Sequence, residues 1–307
     1  MSDNKGKFMY IDSFSYSNRG KYPENEDSTF CGEKAFVVAD GLGGHGNGAA
    51  ASACAANYIA QNYRDFFGRS PACLLSGANA AVYSLGNDSR STVAAAFIEN
   101  GRFGYTNVGD SRVYFFRKGR LIYRTKDHSV CQAAVDAGMM TEEQIRHNED
   151  RSKLLKALGN DAELKPPKEY DAIELQNGDA FLICSDGFWE YVYETEMEID
   201  LLKAESAEKW AGYMLRRHLK RSECECDNFS VVCGIIHAEE TRGSETAPKK
   251  KNGKAALIAA AALIAAAGIL IGASLMYLLK DGGTEDVTVG VSDHSDNSVL
   301  PLQGAEE

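Results

Sequence analysis

The chain has 307 residues, 44% hydrophobic and 25% charged, with a formal net charge of −11. This is ordinary globular composition, long enough for one large domain or two small ones. The charge is uneven: residues 1–240 carry about −9, residues 241–280 about +5 and residues 281–307 about −7. So acidic a body argues against a nucleic-acid partner, whose binders show a basic face, and suits a protein that gathers divalent cations.

The first residues, MSDNKGKFMYIDS, contain no apolar run of the kind a secretory signal needs. Residues 8–40 read as strands: FMYIDSFSYS, then STFCG and KAFVVAD joined by Gly32-Glu33-Lys34. Residues 47–67 predict a helix rich in small residues, with apolar positions at helical spacing, and a second helix follows over Pro71 to Leu85. From Thr92 to Thr125 the chain predicts an antiparallel meander, with hairpin turns at Asn100-Gly101 and Lys118-Gly119. Residues 129–158 read as helical and polar. Strands return at YDAIEL and DAFLICSD with Asn177-Gly178 between them, residues 194–221 read as helix, and FSVVCGIIHA closes the domain as a strand. Antiparallel strands with helices gathered in blocks define an α+β layered sandwich spanning residues 1–240.

All eight cysteines precede residue 240 and none forms a C-x-x-C pair. A zinc site at Cys224, Cys226 and His237 is rejected because the usual ligand spacings are absent, leaving reduced thiols as the reading. Beyond a Lys-rich linker at 241–254, residues 255–279 form 25 residues without a charge. As a helix these would span roughly 37 Å, enough to cross a hydrocarbon core of about 30 Å, so they predict one transmembrane helix. Lys249, Lys250, Lys251 and Lys254 precede it and only Lys280 follows directly. That excess places the domain in the cytoplasm and the acidic, disordered tail 280–307 outside. Gly268 and Gly272 make one GxxxG pair, a weak signal for helix pairing in so alanine-rich a span.

Four aspartates carry the chemistry: Asp40 in VVADGLGG, Asp110 in TNVGDSR, Asp186 in LICSDGFW and Asp227 in CECDNFSVV. Each alone reads first as a turn or cap residue. Jointly, three follow apolar strand-like runs and the fourth precedes one, which puts carboxylates at strand mouths. Glu26-Asp27 adds an acidic pair. Hard divalent cations need such all-oxygen clusters, and a pair of them can activate water for in-line attack on a phosphoryl group. There is no C-x5-R loop and no G-x-S-x-G elbow to supply a protein nucleophile. Gly41, Gly43, Gly44, Gly46 and Gly48 crowd one loop; this is neither GxGxxG nor a P-loop, so nucleotide binding is set aside. On the metal reading the Gly41 carbonyl is a further ligand.

NEDS (Asn25–Ser28), VADGLGGHGNGAAAS (Val38–Ser52), STVAAAF (Ser91–Phe97), NVGDSRVY (Asn107–Tyr114), TKDHS (Thr125–Ser129), KALG (Lys156–Gly159), GDAFLICSDGFWE (Gly178–Glu190) and CDNFSVV (Cys226–Val232) occur in order. Together, over residues 8–237, they resemble the metal-dependent Ser/Thr protein phosphatases of the PPM, or type 2C, family in its bacterial form. The resemblance implies a four-layer αββα sandwich of two antiparallel sheets flanked by helices, with a metal centre at one end. It implies that Asp40 bridges two Mn2+ or Mg2+ ions, that Gly41 contributes its carbonyl, and that Asp186 and Asp227 complete the set holding the attacking water. Glu26 and Asp27 would act through waters, Asp110 would help hold a weaker third ion, and residues 129–158 would be the family's flap. The implied activity is hydrolysis of phosphoserine and phosphothreonine in proteins, opposing a Ser/Thr protein kinase. Two departures stand out. The family's phosphate-binding Arg, four residues before the Glu of NED, is replaced by Tyr22, with Lys21 or Arg19 as substitutes, and Leu42 stands where many eukaryotic members have His. His45 reads as structural. The lost Arg keeps two alternatives open: a phosphoprotein-binding pseudophosphatase, and a hydrolase of small phosphomonoesters.

Overall fold

Three strands open the chain: β1 (Lys7–Asn18), β2 (Asp27–Cys31) and β3 (Ala35–Leu42). Helices α1 (Asn47–Asn62), α2 (Arg64–Gly68) and α3 (Pro71–Tyr83) follow. Then come β4 (Arg90–Ser91), β5 (Val93–Glu99), β6 (Arg102–Val108), β7 (Arg112–Arg117), β8 (Arg120–Arg124), α4 (Val130–Asp136) and α5 (Glu142–Ile145). The last elements are β9 (Ile173–Glu174), β10 (Ala180–Cys184), α6 (Asp186–Trp189), α7 (Glu194–Lys203), α8 (Ala207–Ser222) and β11 (Phe229–Glu240). This computed structural model describes residues 7–43, 47–68, 71–165, 172–223 and 225–240. The expected linker, transmembrane span with its Gly268 and Gly272, and acidic tail lie outside the described residues, as do Gly44, His45, Gly46 and Cys224. Among the described residues no helix is long and apolar enough to cross a membrane.

The strands form two antiparallel sheets, ordered β1-β11-β10-β7-β8 and β2-β3-β5-β6-β9, with β4 on β3. Strand β3 explains why they stack. Successive side chains of a strand point to opposite faces, and both faces of β3 are apolar. Phe36 and Val38 join Ala94, Ala96, Phe103, Phe115, Phe181, Ile183 and Val232 in a cluster between the sheets. Ala35, Val37 and Ala39 face the other way, against Ala51, Ala55 and Ile59 of α1 and Leu74, Leu75 and Ala78 of α3. The small residues of α1 let it lie close on the strand. On the far sheet, Leu182, Cys184, Val231 and Cys233 pack against Met197 and Leu201 of α7 and Trp210, Ala211 and Met214 of α8. The Phe181 ring contacts Phe36 at 4.6 Å and Phe103 at 5.6 Å, tying the two sheets together. Truncating such a ring to Ala costs about 3–5 kcal/mol.

Several expectations change in detail: the helix over 194–221 breaks at 204–206 into α7 and α8, and of the strand expected over YDAIEL only Ile173–Glu174 pairs as β9 among the described residues. The helix over 47–67 breaks at Tyr63 into α1 and α2, and the second helix stops at Tyr83. The meander is two hairpins, not one sheet: β5-β6 belongs to one sheet and β7-β8 to the other, and the chain crosses between them at Gly109-Asp110-Ser111. The hairpin signals are accurate, since Asn100, Gly101, Lys118 and Gly119 all have positive φ. Residues 129–158 are helical only at α4 and α5. Leu154 bridges to Ser129, and Leu158 to Ser91, so long-range backbone pairing overrides the helical propensity of KLLKAL.

Candidate metal centre

The crossing at Asp110, the end of β3, the start of α6 and the turn before β11 meet at one end of the sandwich. They line a cleft of about 680 Å3. Six carboxylates face it, from Glu24, Glu26, Asp40, Asp110, Asp186 and Asp227, together with Gly41, Tyr22 and Asn228, and among the described residues no Lys, Arg or His lines it. Asp27 sits beneath, directly opposite Asp40 in the β2-β3 ladder.

The motifs recognisable in sequence act here as a frame for these acids. The Asp40 N–H donates to Thr92 Oγ1 at 3.1 Å, and the Asp40 carbonyl accepts from Thr92 N at 2.8 Å and Ser91 Oγ at 2.9 Å. Ser185 Oγ donates to Asp27 Oδ2 at 2.7 Å and itself accepts from Ser230 N at 2.9 Å. Asn228 clamps the acidic N-terminal loop: its Oδ1 accepts from Glu26 N at 2.7 Å, and its Nδ2 donates to the carbonyls of Arg19 at 2.7 Å and Glu24 at 3.1 Å. Gly187 packs so closely on Asn228 that a Cβ there would stand 2.2 Å from the Asn228 carbonyl. Glycine is therefore what lets the Asp186 and Asp227 turns touch.

The electrostatics are those of a site crowded with like charges. Asp40 lies well above the usual carboxylate range through burial, then Asp186, Asp27 and Asp110. Asp110 is raised likewise by burial, then Asp186 and Asp127, against the lowering pull of Arg112. Burial, then Glu190 and Asp227, push Asp186 up to about 7. Burial pushes Asp27 up to about 6, although hydrogen bonds from Ser230 and Ser185 pull it down. Glu26 is raised by burial, Glu24 and Asp227. Asp27 Oδ1 is buried without a hydrogen-bond partner. Carboxylates so placed lack positive charge, and hard divalent cations would supply it. Among the described residues, no group of three or more His, Cys, Asp or Glu stands in a geometry that could hold an ion without adjustment. Asp186 Oδ1 accepts from Gly187 N at 2.6 Å and Asp227 Oδ1 accepts from Asn228 N at 2.7 Å, so each of these carboxylates is turned toward the backbone of the next residue.

Lys21 lies outside the cleft lining, with its ammonium over the Tyr22 ring at 5.5 Å, and Arg19 Nη1 donates to the Pro23 carbonyl at 3.1 Å. Tyr22 itself lines the cleft and is 44% exposed. From the 129–158 segment, Ser152 and Leu154 reach the cleft. Arg151 beside them pairs with Glu190, and Arg146 pairs with Glu194 at 2.8 Å. Cys226 is buried and His237 stacks on Tyr10 at 4.7 Å, so that pair is part of the packing. The sequence reading did not single out the supporting polar residues Asn228, Ser185, Trp189 and Arg112. All four lie inside quoted motifs, but their partners are distant in sequence and only the fold reveals them.

The chain belongs to the protein phosphatase 2C family, whose model matches residues 21–228. Among curated relatives, the serine/threonine protein phosphatase PstP of Mycobacterium tuberculosis is 32% identical over 206 residues, which make up 62% of this chain and 39% of PstP. The serine/threonine phosphatase stp of Listeria welshimeri is 29% identical over 195 residues, 59% of this chain and 75% of the relative. The crystal structure of the M. tuberculosis phosphatase superposes with a TM-score of 0.66 at 28% identity, covering 74% of this chain and 99% of that one. A PstP catalytic domain in complex with two manganese ions gives a TM-score of 0.64 at 27% identity, covering 75% of this chain and 100% of that domain.

Proposed function

We propose that this protein hydrolyses phosphoserine and phosphothreonine esters in phosphorylated proteins, with Asp40, the Gly41 carbonyl, Asp186 and Asp227 holding two Mn2+ or Mg2+ ions. The observation that carries the reading is the convergence of carboxylates from four distant segments on one cleft, with Asp40, Asp110 and Asp186 all raised and none facing a cation from the lining. Bound there, divalent ions would supply the charge that a phosphoryl group needs and activate a water for attack. Asp110 would contribute to a third, weaker ion, and Glu26 and Asp27 would act through intervening water. The chain's own residues orient that set: Thr92 and Ser91 fix Asp40, Ser185 fixes Asp27, and Asn228 fixes the loop carrying Glu26. The manganese pair in the related PstP domain supports the choice of ion.

The same proposal extends to the whole chain. Residues 1–240 form the phosphatase domain of the four-layer αββα sandwich, 241–254 a Lys-rich linker, 255–279 a single membrane-crossing helix and 280–307 an extracytoplasmic tail. The domain then works in the cytoplasm at the membrane, opposite a Ser/Thr protein kinase, where tethering raises its effective concentration on membrane substrates. One observation favours an alternative. With Tyr22 in the cleft and no Lys or Arg lining it among the described residues, phosphate would be gripped weakly, as in a phosphoprotein-binding pseudophosphatase or an enzyme with another phosphomonoester as substrate. Turnover of a phosphothreonine peptide and of sugar phosphates, each with Mn2+ and with chelator, decides. Peptide hydrolysis that requires the metal is expected, and equal rates in metal and chelator would reject the mechanism.

A further inference from the structure

His218 belongs to α8, is 0% exposed and touches no part of the cleft lining. Its Nε2 lies 2.7 Å from the Gly187 carbonyl oxygen. A carbonyl only accepts, so the ring proton is on Nε2 and Nδ1 is bare. Among the described residues Nδ1 has no hydrogen-bond partner. The ring stacks on Phe229 at 4.0 Å and on Phe188 at 5.8 Å, and meets Tyr191 edge-on at 5.1 Å. Phe188 lies two residues after Asp186, and Phe229 two after Asp227. One imidazole therefore touches both turns that carry these carboxylates, on the side of the turns away from the cleft.

If this residue only filled space, phenylalanine would serve better. It would keep the stacking and would not bury a bare nitrogen. What histidine adds is the single N–H aimed at Gly187. That carbonyl belongs to the peptide next to Asp186, and Gly187 is the residue pressed against Asn228. Burial, helped by Arg221, lowers the His218 pKa against the raising pull of its hydrogen bond to the Gly187 carbonyl.

We infer that His218 is a positioning residue of the reaction: through Nε2–H to the Gly187 carbonyl and its stacking on Phe229, it fixes the Asp186 and Asp227 turns in register with each other. The inference rests on the two-cation reading above. It assigns the histidine no proton transfer and no contact with substrate.

The test compares the parent chain with His218→Phe, which keeps the stack and loses the donor, and with His218→Gln, which offers an amide N–H. Mn2+ binding is measured by titration calorimetry, and melting temperature is measured in chelator. For His218→Phe we expect a melting temperature within about 3 °C of the parent and a Kd for Mn2+ weakened about tenfold or more, the scale seen when outer-sphere partners of metal ligands are removed. His218→Gln should recover most of that affinity. A His218→Phe variant that binds Mn2+ like the parent would overturn the inference, and so would equal losses in both variants. If His218→Phe does not fold, nitrogen-detected NMR of the parent imidazole decides: a neutral ring protonated at Nε2 supports the assignment, and an Nδ1–H tautomer overturns it. A parent that binds no Mn2+ at all rejects the two-cation reading and this inference with it. Parent binding combined with unaffected variants rejects this inference alone.

Discussion

The Trp189 indole Nε1 donates to the main-chain carbonyl of Asp110 at 2.9 Å. Beneath that indole, at 3.5 Å, lies the Arg112 guanidinium, which is fully buried and held by Asp127 through Nε at 2.8 Å and Nη2 at 2.7 Å. The Asp110 crossing between the sheets thus rests on an indole that rests on a buried ion pair. Trp189→Phe keeps the ring but strands a buried carbonyl, at about 1–3 kcal/mol. We expect a modest loss of stability, and a higher Mn2+ requirement for activity than in the parent. Half-saturation by Mn2+ measured in parent and variant checks this; an unchanged value would remove Asp110 from the metal set.

The ion pair itself makes a separate prediction. Removing one partner of a buried pair costs about 3–5 kcal/mol because the other charge is left unmatched, whereas replacing both with apolar groups is close to neutral. Arg112→Met should therefore destabilise strongly, and the double variant Arg112→Met/Asp127→Leu should regain more than half of the loss. Equilibrium urea unfolding of the three proteins tests this. A double variant as unstable as the single one would mean that the Trp189 stacking, not the charge, is what matters.

Asp40 places function against stability. In the absence of cations its half-buried carboxyl stands near Asp186, Asp27 and Asp110, and burial and these charges raise it well above the usual carboxylate range. Asparagine has the same shape and no charge to neutralise. Asp40→Asn should raise the stability of the chelated protein, because it removes a carboxyl that the site holds above its ordinary range. It should also abolish metal-dependent turnover. Thermal melts in chelator, beside phosphopeptide assays in Mn2+, give both readings; a variant both less stable and inactive would show that Asp40 is structural.

How much of this was legible in the sequence divides by the range of the interaction. The strand β3, the two hairpin turns and the helical character of 194–221 follow local rules of alternation, periodicity and turn chemistry, so each is readable, whereas the break of that helix at 204–206 into α7 and α8 is not. Five of the six acids lining the cleft are legible because they share a place relative to strands; Glu24, in the loop before β2, carries no such signal. The split of β6 and β7 between sheets, the irregular path of 146–158 and the three hydrogen bonds of Asn228 depend on partners far along the chain. No periodicity encodes them. His218 is the extreme case, one apolar-face position of an amphipathic helix, whose significance comes only from the carbonyl opposite it.

The carboxylates also set a pH dependence whose sign is fixed. A carboxyl raised in the folded state binds a proton there that it releases when unfolded. Stability is then greatest below the unfolded value and is lost as pH rises through the folded one. For Asp186, from 3.8 to about 7, that loss is still under way at neutrality, and Asp40 and Asp110 lie well above their unfolded value as well. His128, pushed down to about 4 by burial, then Lys156, and His218, also lowered, act oppositely, but their stabilisation is lost only as pH falls below about 6.5. Between pH 7 and 8 the carboxylates dominate. In chelator the melting temperature should fall over that unit. Saturating Mn2+ should flatten the dependence. A rise with pH in chelator would contradict the clustered carboxylates.

Tyr22 gives the last prediction. It lines the cleft at the place where the family's phosphate-binding arginine is expected, and its 44% exposure leaves room for a longer side chain. Arginine there offers a planar fork that matches two phosphoryl oxygens, which the phenol cannot do. Tyr22→Arg should lower KM for a small aryl phosphate about fivefold or more while kcat changes little, because a charge-assisted hydrogen bond of about 1.5–3 kcal/mol is added to substrate and transition state alike. Stability should move by less than about 0.5 kcal/mol, as for other exposed positions. Lys21→Met is the companion, since that ammonium lies over the Tyr22 ring at 5.5 Å and outside the lining. If Lys21 already serves the phosphate, its removal raises KM and the Tyr22→Arg gain shrinks. If it does not, KM stays put and Tyr22→Arg alone shifts it. A Tyr22→Arg variant with unaltered KM would mean that substrate phosphate enters from another side of the cleft.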